Sequence, residues 1–312
     1  MTATNNKVVL VFGATGKVGS TATAAAMSRE ADVHIALRDP AKPLPTSALQ
    51  TAFANSNKKH KADLSDPASV LAATRASGAT AAFVYALHES ADGMRATFAA
   101  LKEGGIKHVV LLSSYTLGVS KEAEAKIDKN NLDFIQTFHA RAEESIKAAG
   151  FESHTFVRPG SFASNSVMWW KPMIADPSLN GNVYLPFPDA PAAHIVDNDI
   201  GDVAGALLVA DTPTPEIVPL IGPQHISHRD SVAIIAKAIG RDLKVVPVSV
   251  DQFRETTIKF VPPPIVDALI KYWTDASAQP DDTSLAANVQ RYAGRPAMTF
   301  EQWVAQNKAA FE

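Results

Sequence analysis

Short apolar runs rich in β-branched residues alternate, in the first half of the chain, with amphipathic or alanine-rich segments. Such runs predict strands buried on both faces, and the periodic segments between them predict helices. The predicted strands are residues 8–12, 33–37, 59–64, 81–85 and 108–112 and a sixth that closes at 156–162. The predicted helices include 20–28, 91–103 and one that Ser65 or Asp66 caps and that runs to 76. This alternation is typical of right-handed βαβ crossovers, so we expect an α/β fold with a doubly wound parallel sheet.

Three glycines at a spacing of three follow the first predicted strand. Gly13 can turn where a Cβ would clash, Gly16 lets a pyrophosphate approach the backbone, and Gly19 lets the next helix pack closely on the strand. The amides at the start of that helix would then face the anion. The pattern predicts a Rossmann-type dinucleotide site, with an ordinary tight strand–helix turn as the alternative.

The second predicted strand ends in Arg38 and Asp39. In Rossmann-type folds an acidic residue at this place binds the ribose 2′-hydroxyl of NAD, whereas an arginine accommodates the 2′-phosphate of NADP. Arg38 therefore favours NADP(H). Because Asp39 could bind the ribose 2′-hydroxyl, NAD is not excluded as the cofactor. A surface arginine that binds no ligand is the other alternative.

Composition removes several classes of function. Among 312 residues, 46% are hydrophobic and 20% charged, and the net charge is −3, without the basic surface that nucleic-acid binding requires. There is no cysteine, which excludes disulfides, thiolate zinc sites and a cysteine nucleophile. No apolar stretch reaches the length of a membrane span and the polar start has no signal-peptide pattern, so we expect a cytoplasmic protein that does not enter membranes.

The second half of the chain changes character. All four tryptophans follow residue 168, and we expect this half to form a mostly helical substrate lobe. We therefore divide the chain into a dinucleotide-binding domain, 1–158, and a substrate lobe, 159–312. Large aromatic surfaces would favour a bulky or planar substrate, although core packing explains many of them. The predicted pocket residues are Phe162, Trp169, Trp170 and Phe187, and we expect one of the two adjacent tryptophans at the pocket or an interface.

Helix signals continue to the end of the chain. Ser227 is predicted to cap a helix that ends at Gly240, and Thr299 to begin a capping box. A further helix should begin near Ile265. His225 and His228 have too few spaced carboxylates around them for a metal site, so no metal is expected.

Taken in order, these motifs resemble those of a known family. The glycine turn, the arginine after the second strand, Ala-Asp-Leu at 62–64, Ser-Ser at 113–114, a His-x-x-x-Glu helix and Arg-Pro-Gly-Ser-Phe at 158–162 are similar to the NmrA-like atypical short-chain dehydrogenase/reductases. The resemblance implies a Rossmann sheet with strand order 3-2-1-4-5-6, a variable C-terminal lobe over the nicotinamide end, and NADP(H) as cofactor. It also implies that 193–222 returns to the sheet and that an Asp in it, at 197 or 199, caps a helix that runs to 210. Asp197 and Asp199 are therefore expected to be structural.

The resemblance also implies which residues would bind the cofactor. The pyrophosphate loop would contain Gly13, Thr15, Gly16, Lys17, Val18 and Gly19, and the 2′-phosphate would contact Arg38. The adenine would contact Asp63 and Leu64, and the ribose would lie against Tyr85, Ala86 and Leu87. Ser113, Ser114, Tyr115 and His139 would lie toward the nicotinamide ribose and the substrate, above a backbone turn with Pro159 and Phe162.

One departure from the main short-chain reductases concerns the proton donor. Those enzymes use Tyr-x-x-x-Lys, in which the tyrosine protonates the carbonyl oxygen as hydride arrives. Here the tyrosine position holds Ile135 and the lysine position holds His139, if Glu143 is the glutamate that follows. The candidate catalytic residues are therefore Tyr115, His139 and Ser114, unless no such relay is needed. Glu143 is expected to be a structural strut.

Three functions remain in view. The first is an NADPH-dependent reductase of a C=N, C=C or C=O group in a bulky, partly apolar small molecule. The second is a cyclase or isomerase that keeps the dinucleotide as a structural ligand. The third is an NADP(H) sensor that reports redox state to a protein partner.

Overall fold

A computed structural model describes residues 7–211, 214–278 and 282–312. Its centre is a seven-stranded sheet in which every neighbouring pair is parallel. The strands in chain order are β1 Val8–Phe12, β2 Asp32–Leu37, β3 Lys59–Lys61, β4 Ala81–Tyr85, β5 His108–Leu112 and β6 Ser153–Pro159. The helices between and beside them are α1 Lys17–Met27, α2 Ser47–Phe53, α3 Pro67–Ser77, α4 Arg95–Gly104, α5 Lys121–Glu124 and α6 Phe134–Ala149.

The second half adds one strand to this sheet and builds a further layer. Its strands are β7 Asn182–Leu185, β8 Pro191–Ala192, β9 Ile217–Leu220, β10 Ile226–Ser227 and β11 Lys244–Pro247. Its helices are α7 Asn165–Ala175, α8 Asp197–Val209, α9 His228–Ile239, α10 Val250–Thr257, α11 Pro263–Ala278, α12 Ala287–Ala293 and α13 Phe300–Asn307. The sheet order is β3-β2-β1-β4-β5-β6-β9, which confirms the expected 3-2-1-4-5-6 order and extends it by β9.

The alternation of side chains along β1 shows why its whole length is apolar. Val9 and Val11 point into one core, shared with α1 and α8, while Leu10 and Phe12 point into the other, shared with α3, α4 and α6. Successive residues of a strand face opposite sides of a sheet, so a strand covered by helices on both faces needs apolar residues at every position.

A third core lies outside the sheet. It is formed by α7, α9, α10, α11 and α13 and contains the fully buried Trp170, Trp273 and Phe253. In contrast, α8 and β9 belong to the sheet core, through Ile200 and Leu220 among others. Among the described helices, none is long and apolar enough to cross a membrane.

Several predicted boundaries are corrected by local hydrogen bonds. β3 ends at Lys61 rather than 64, because the Asp63 carboxylate accepts from the Ser65 amide at 2.9 Å and turns the chain. α4 begins at Arg95 rather than 91, since Asp92 accepts from the Ala96 amide at 2.9 Å in the turn before it. β6 begins earlier than the predicted segment and ends at Pro159.

The capping predictions were right in two places and wrong in one. Ser227 accepts from the Asp230 amide at the start of α9, which ends before Gly240, and Thr299 forms a capping box with Gln302. Asp197 and Asp199, however, lie within the first turn of α8 and cap no amide of that helix, because their carboxylates bind other partners.

Candidate functional site

A cavity of about 730 Å³ opens at the carboxyl ends of the parallel strands. Its walls come from the β1–α1 turn, the ends of β4, β5 and β6, and the helices α6, α7 and α11. Ligands of open α/β sheets bind at this edge, where the strand order reverses. The cavity therefore lies between the sheet and the lobe.

The glycine turn forms one wall of this cavity. Gly13 has φ +77°, and its carbonyl accepts from the Gly16 amide at 2.8 Å. A Cβ on Gly19 would lie 2.2 Å from the Gly13 oxygen, so no larger residue fits without moving the turn. No side chain caps α1 at Gly16, which leaves the positive end of the helix facing the cavity.

Most of the residues predicted from the sequence come together here. The predicted residues that line the cavity are Gly13, Thr15, Gly16, Lys17, Val18, Gly19, Tyr85, Ala86, Ser113, Ser114, Tyr115, His139, Pro159, Phe162 and Trp169. They derive from distant parts of the chain, and the parallel sheet aligns their strand ends.

Arg38, Asp63 and Leu64, predicted for the 2′-phosphate and the adenine, lie outside the cavity wall, as does Leu87, predicted for the ribose. Arg38 is exposed, and its charge acts on both Asp63 and Tyr85. Hydrogen bonds from Ser65 hold the pKa of Asp63 below its usual range, with a smaller contribution from Arg38. Leu64 is buried in the sheet core, and Leu87 donates its amide to the Met94 sulfur at 3.2 Å.

Two predicted pocket residues do not reach the cavity. Trp170 is fully buried in the lobe, edge-on to His194 and His228, and Phe187 packs on the outside of that core. Adjacent helical residues point about 100° apart. Trp169 therefore lines the cavity and packs on Trp273, with ring centroids 5.5 Å apart, while Trp170 faces the core.

The structure also adds cavity residues that the sequence reading missed. They come mainly from α6, α7 and α11 and include Phe138, Met168, Ile265, Ala268, Leu269 and Tyr272. The helical periodicity of α11 predicts an apolar face, but nothing in the pattern shows what that face covers.

His139 is unsuited to donate a proton as an imidazolium. Burial, assisted by the positive charge of Arg158, lowers its pKa to about 3. Its ring lies 4.2 Å from that of Phe138, and its Nδ1 has no hydrogen-bond partner among the described residues. The imidazole is therefore neutral at physiological pH.

Ser114 and Tyr115 open a short 3-10 turn after β5. The Ser114 hydroxyl lies 2.9 Å from the Thr116 hydroxyl and accepts from the Thr116 amide, so it stabilises the turn. Tyr115 is the first residue of that turn, half-buried and in the cavity wall.

A buried ion pair supports this wall from behind. Glu143 accepts from the Ser113 hydroxyl at 2.5 Å and from Arg158 Nε at 2.9 Å. Arg158, fully buried, also donates to the carbonyls of Leu117 and Gly118 at 2.9 and 2.8 Å. Glu143 is thus the expected strut, and it fixes the turns that carry the candidate catalytic residues. Among the described residues, no cluster of three metal-ligating side chains occurs.

The profile of the NmrA-like family matches residues 5–291. The chain belongs to this family. The nitrogen metabolite regulation-like protein bik4 of Gibberella fujikuroi is 33% identical over 314 aligned positions, which cover 95% of each chain. The NAD(P)H azoreductase of Xenophilus azovorans is 26% identical, with 97% of this chain and 99% of that protein covered.

A solved structure has the same fold. The NADPH-dependent quinone oxidoreductase QOR2 of Escherichia coli, complexed with NADPH, superposes with a TM-score of 0.75 over 96% of this chain and 98% of its own, at 18% identity. Membership of the NmrA-like family therefore agrees with the fold, the strand order and the glycine turn.

Proposed function

We propose that this NmrA-like chain is an NADP(H)-dependent oxidoreductase that reduces a C=N, C=C or C=O group of a bulky, partly apolar small molecule. The observation that carries the proposal is a single cavity with two unlike walls. One wall is the glycine turn with the uncapped start of α1, and the other is the aromatic face of the lobe. NADPH supplies hydride when it is bound.

The residues present fit a dinucleotide. A Cβ on Gly16 would stand at 3.4 Å from the Gly13 oxygen, in the space where the backbone must admit a pyrophosphate. Lys17 stands beside it, exposed, at the first position of α1. Arg38, exposed after the end of β2, would bind the 2′-phosphate. One carboxylate oxygen of the neighbouring Asp39 accepts from the Ala41 amide at 2.9 Å. An anion at a helix N-terminus is stabilised by both the free amides and the helix dipole.

The remaining residues orient the nicotinamide end. Tyr85 and Ala86 would lie along the ribose, Ser113 is fixed by Glu143, and the turn from Pro159 to Phe162 forms the floor. The Tyr115 hydroxyl would hydrogen-bond the substrate, and neutral His139 would accept or donate a single hydrogen bond there.

The lobe side of the cavity supports an apolar substrate. Phe162, Trp169 and Tyr272 of the lobe, together with Phe138 of α6, provide aromatic surface. Lys17, on the opposite wall, is the one lysine or arginine among the described lining residues. An anionic substrate would find no counter-charge beside the lobe. A planar, neutral or cationic molecule fits this surface best. In this proposal residues 1–158 bind the dinucleotide and 159–312 the substrate.

The sensor is the second candidate, because the Gibberella fujikuroi relative carries the name of a regulatory protein. A sensor is expected to have a shallow, polar cleft, whereas the lining of this cavity is largely apolar. The reductase named in Xenophilus azovorans agrees with the first candidate. A cyclase or isomerase would use the same cavity without consuming NADPH.

We expect the protein to oxidise NADPH when a neutral quinone, a conjugated enone, an azo compound or an iminium cation is supplied. The measurement is loss of NADPH absorbance, together with mass spectrometry of the product formed from NADPH deuterated at the nicotinamide C4. Transfer of deuterium to the product supports the reductase. NADPH binding without consumption under any acceptor contradicts it, and supports the sensor or the cyclase instead.

A matched pair of variants tests the lobe as the substrate wall. Trp169→Phe removes part of the cavity surface and should raise KM for planar acceptors several-fold. Trp170→Phe, one position along the same helix but outside the cavity, should leave that KM unchanged.

A further inference from the structure

Asp197, the first residue of α8, stands in the cavity wall with only 5% of its surface exposed. Two residues before it, Ile195 pairs with Phe162, and the Ile195 amide donates to the Ser161 carbonyl at 2.9 Å. The segment that carries Asp197 is therefore fixed to the turn that forms the floor of the nicotinamide end. Asp197 lines the same cavity as Tyr115 and His139.

The two oxygens of this carboxyl differ. Oδ1 accepts from the Ser164 hydroxyl at 2.9 Å, whereas Oδ2 is buried and has no hydrogen-bond partner among the described residues. The neighbouring Asp199 contrasts with it, since its carboxylate lies 2.6 Å from Arg295 and accepts from the Met298 amide at 2.8 Å. The second carboxylate of the same helix turn is thus neutralised by a cation and Asp197 is not.

An ionised carboxylate is unfavourable when one of its oxygens is buried without a hydrogen-bond donor, because no donor replaces the water that the oxygen has lost. Burial accordingly raises the pKa of Asp197, while the Ser164 hydrogen bond and the charge of Lys17 lower it in part. Lys17 lies on α1, and no ion pair within 4.0 Å joins a described basic group to Asp197. A carboxyl group whose pKa is raised keeps its proton to higher pH than an exposed one, and in that form it can act as an acid.

We propose that Asp197 is the catalytic acid of the reductase, which protonates the atom of the substrate double bond that does not receive hydride. This rests on the proposed function. With NADPH bound, its hydride would form a bond to one atom of a neutral C=O, C=C or C=N group, and the π electron pair would move to the other atom. That atom takes the proton of Asp197, and the carboxylate regains a proton from water. The substrate thus gains a hydride, which carries two electrons, from NADPH and one proton from Asp197. NADPH is oxidised to NADP⁺.

The other candidates serve this step less well. His139 is neutral, and the Ser114 hydroxyl is engaged with Thr116. Tyr115 is the alternative proton donor. We expect its hydroxyl to hydrogen-bond the substrate group that is reduced.

The test compares two acceptors on the same enzyme. A cationic iminium becomes a neutral amine when it accepts hydride, so it needs no proton, whereas a neutral quinone or enone does. With the neutral acceptor, Asp197→Asn should lower kcat about 100-fold, a typical contribution of a general acid. With the iminium, kcat should change less than about threefold. The Kd for NADPH, from fluorescence titration, should stay unchanged.

The pH profile gives a second readout. For wild type with the neutral acceptor, kcat should be constant at low pH and fall as pH rises through the pKa of Asp197, because the acid must hold its proton. Asp197→Asn should remove that limb and Asp197→Glu should restore it. Ser164→Ala should move it to higher pH, since the Ser164 hydrogen bond lowers the pKa.

Each other result overturns the proposal. If Asp197→Asn lowers kcat equally with both acceptors, Asp197 acts in structure or cofactor binding. If it leaves kcat unchanged with both acceptors, another group supplies the proton. If the fall of kcat at high pH persists in Asp197→Asn and disappears in Tyr115→Phe, Tyr115 is the proton donor. If the wild-type protein consumes no NADPH with either acceptor, the proposed function is wrong, and so is the proposed role of Asp197 as its acid.

Discussion

Replacing Arg158 by Met should lower the free energy of unfolding by about 3–5 kcal/mol. The Arg158 side chain is fully buried and the Glu143 side chain is 3% exposed, so removing the cation leaves a buried carboxylate without its counter-charge. The carbonyls of Leu117 and Gly118 lose their donor as well. Chemical denaturation of wild type and variant, followed by circular dichroism, measures the difference.

Lys147→Met is the matched control. Lys147 pairs with Glu124 and Glu216, but its side chain is 38% exposed, and surface pairs contribute at most about 1 kcal/mol. If Arg158→Met costs no more than Lys147→Met, the buried ion pair does not support the site wall as we describe.

Substitutions in the glycine turn should separate folding from binding. Gly19→Ala places a methyl 2.2 Å from the Gly13 oxygen, so the turn must move, and we expect NADPH affinity to fall by about 100-fold or more, equivalent to about 2.7 kcal/mol. Gly16→Ala places its methyl at an ordinary contact distance of 3.4 Å. It should change the free energy of unfolding by less than about 0.5 kcal/mol, yet weaken NADPH binding about tenfold.

Isothermal titration with NADPH and thermal unfolding, run on each variant, make this comparison. Gly240→Ala is the control for stability, because Gly240 has φ +67° at the end of α9, away from the cavity. It should lose stability and keep the wild-type affinity for NADPH. If both Gly16→Ala and Gly19→Ala keep the wild-type affinity for NADPH, the turn only connects a strand to a helix and does not bind the dinucleotide.

The sheet could be predicted from the sequence because its signals are local. Val9 and Leu10 face opposite cores, and the strand that contains them is apolar throughout for that reason. Gly13 must turn in a conformation with positive φ, and Ser227 begins a helix with its own hydroxyl. Each of these features is decided within a few residues of the chain.

The rest depends on partners distant in sequence. Arg158 interrupts an apolar strand, but nothing near it shows that Glu143 and the carbonyl of Leu117 receive its charge. Which of two adjacent tryptophans reaches the cavity depends on how α7 is rotated against the lobe. Asp197 carries the sequence signature of a cap, and only the fold shows that one of its oxygens is left without a partner.

The most direct test of an NADP(H) site is a fluorescence titration of wild type and Arg38→Ala with NADPH, NADP⁺, NADH and NAD⁺. One charge-assisted phosphate contact contributes about 1.5–3 kcal/mol, or one to two decades of affinity. We predict that wild type binds NADPH more tightly than NADH and that Arg38→Ala loses this preference while keeping its affinity for NADH. Failure of wild type to bind any of the four dinucleotides would contradict the account.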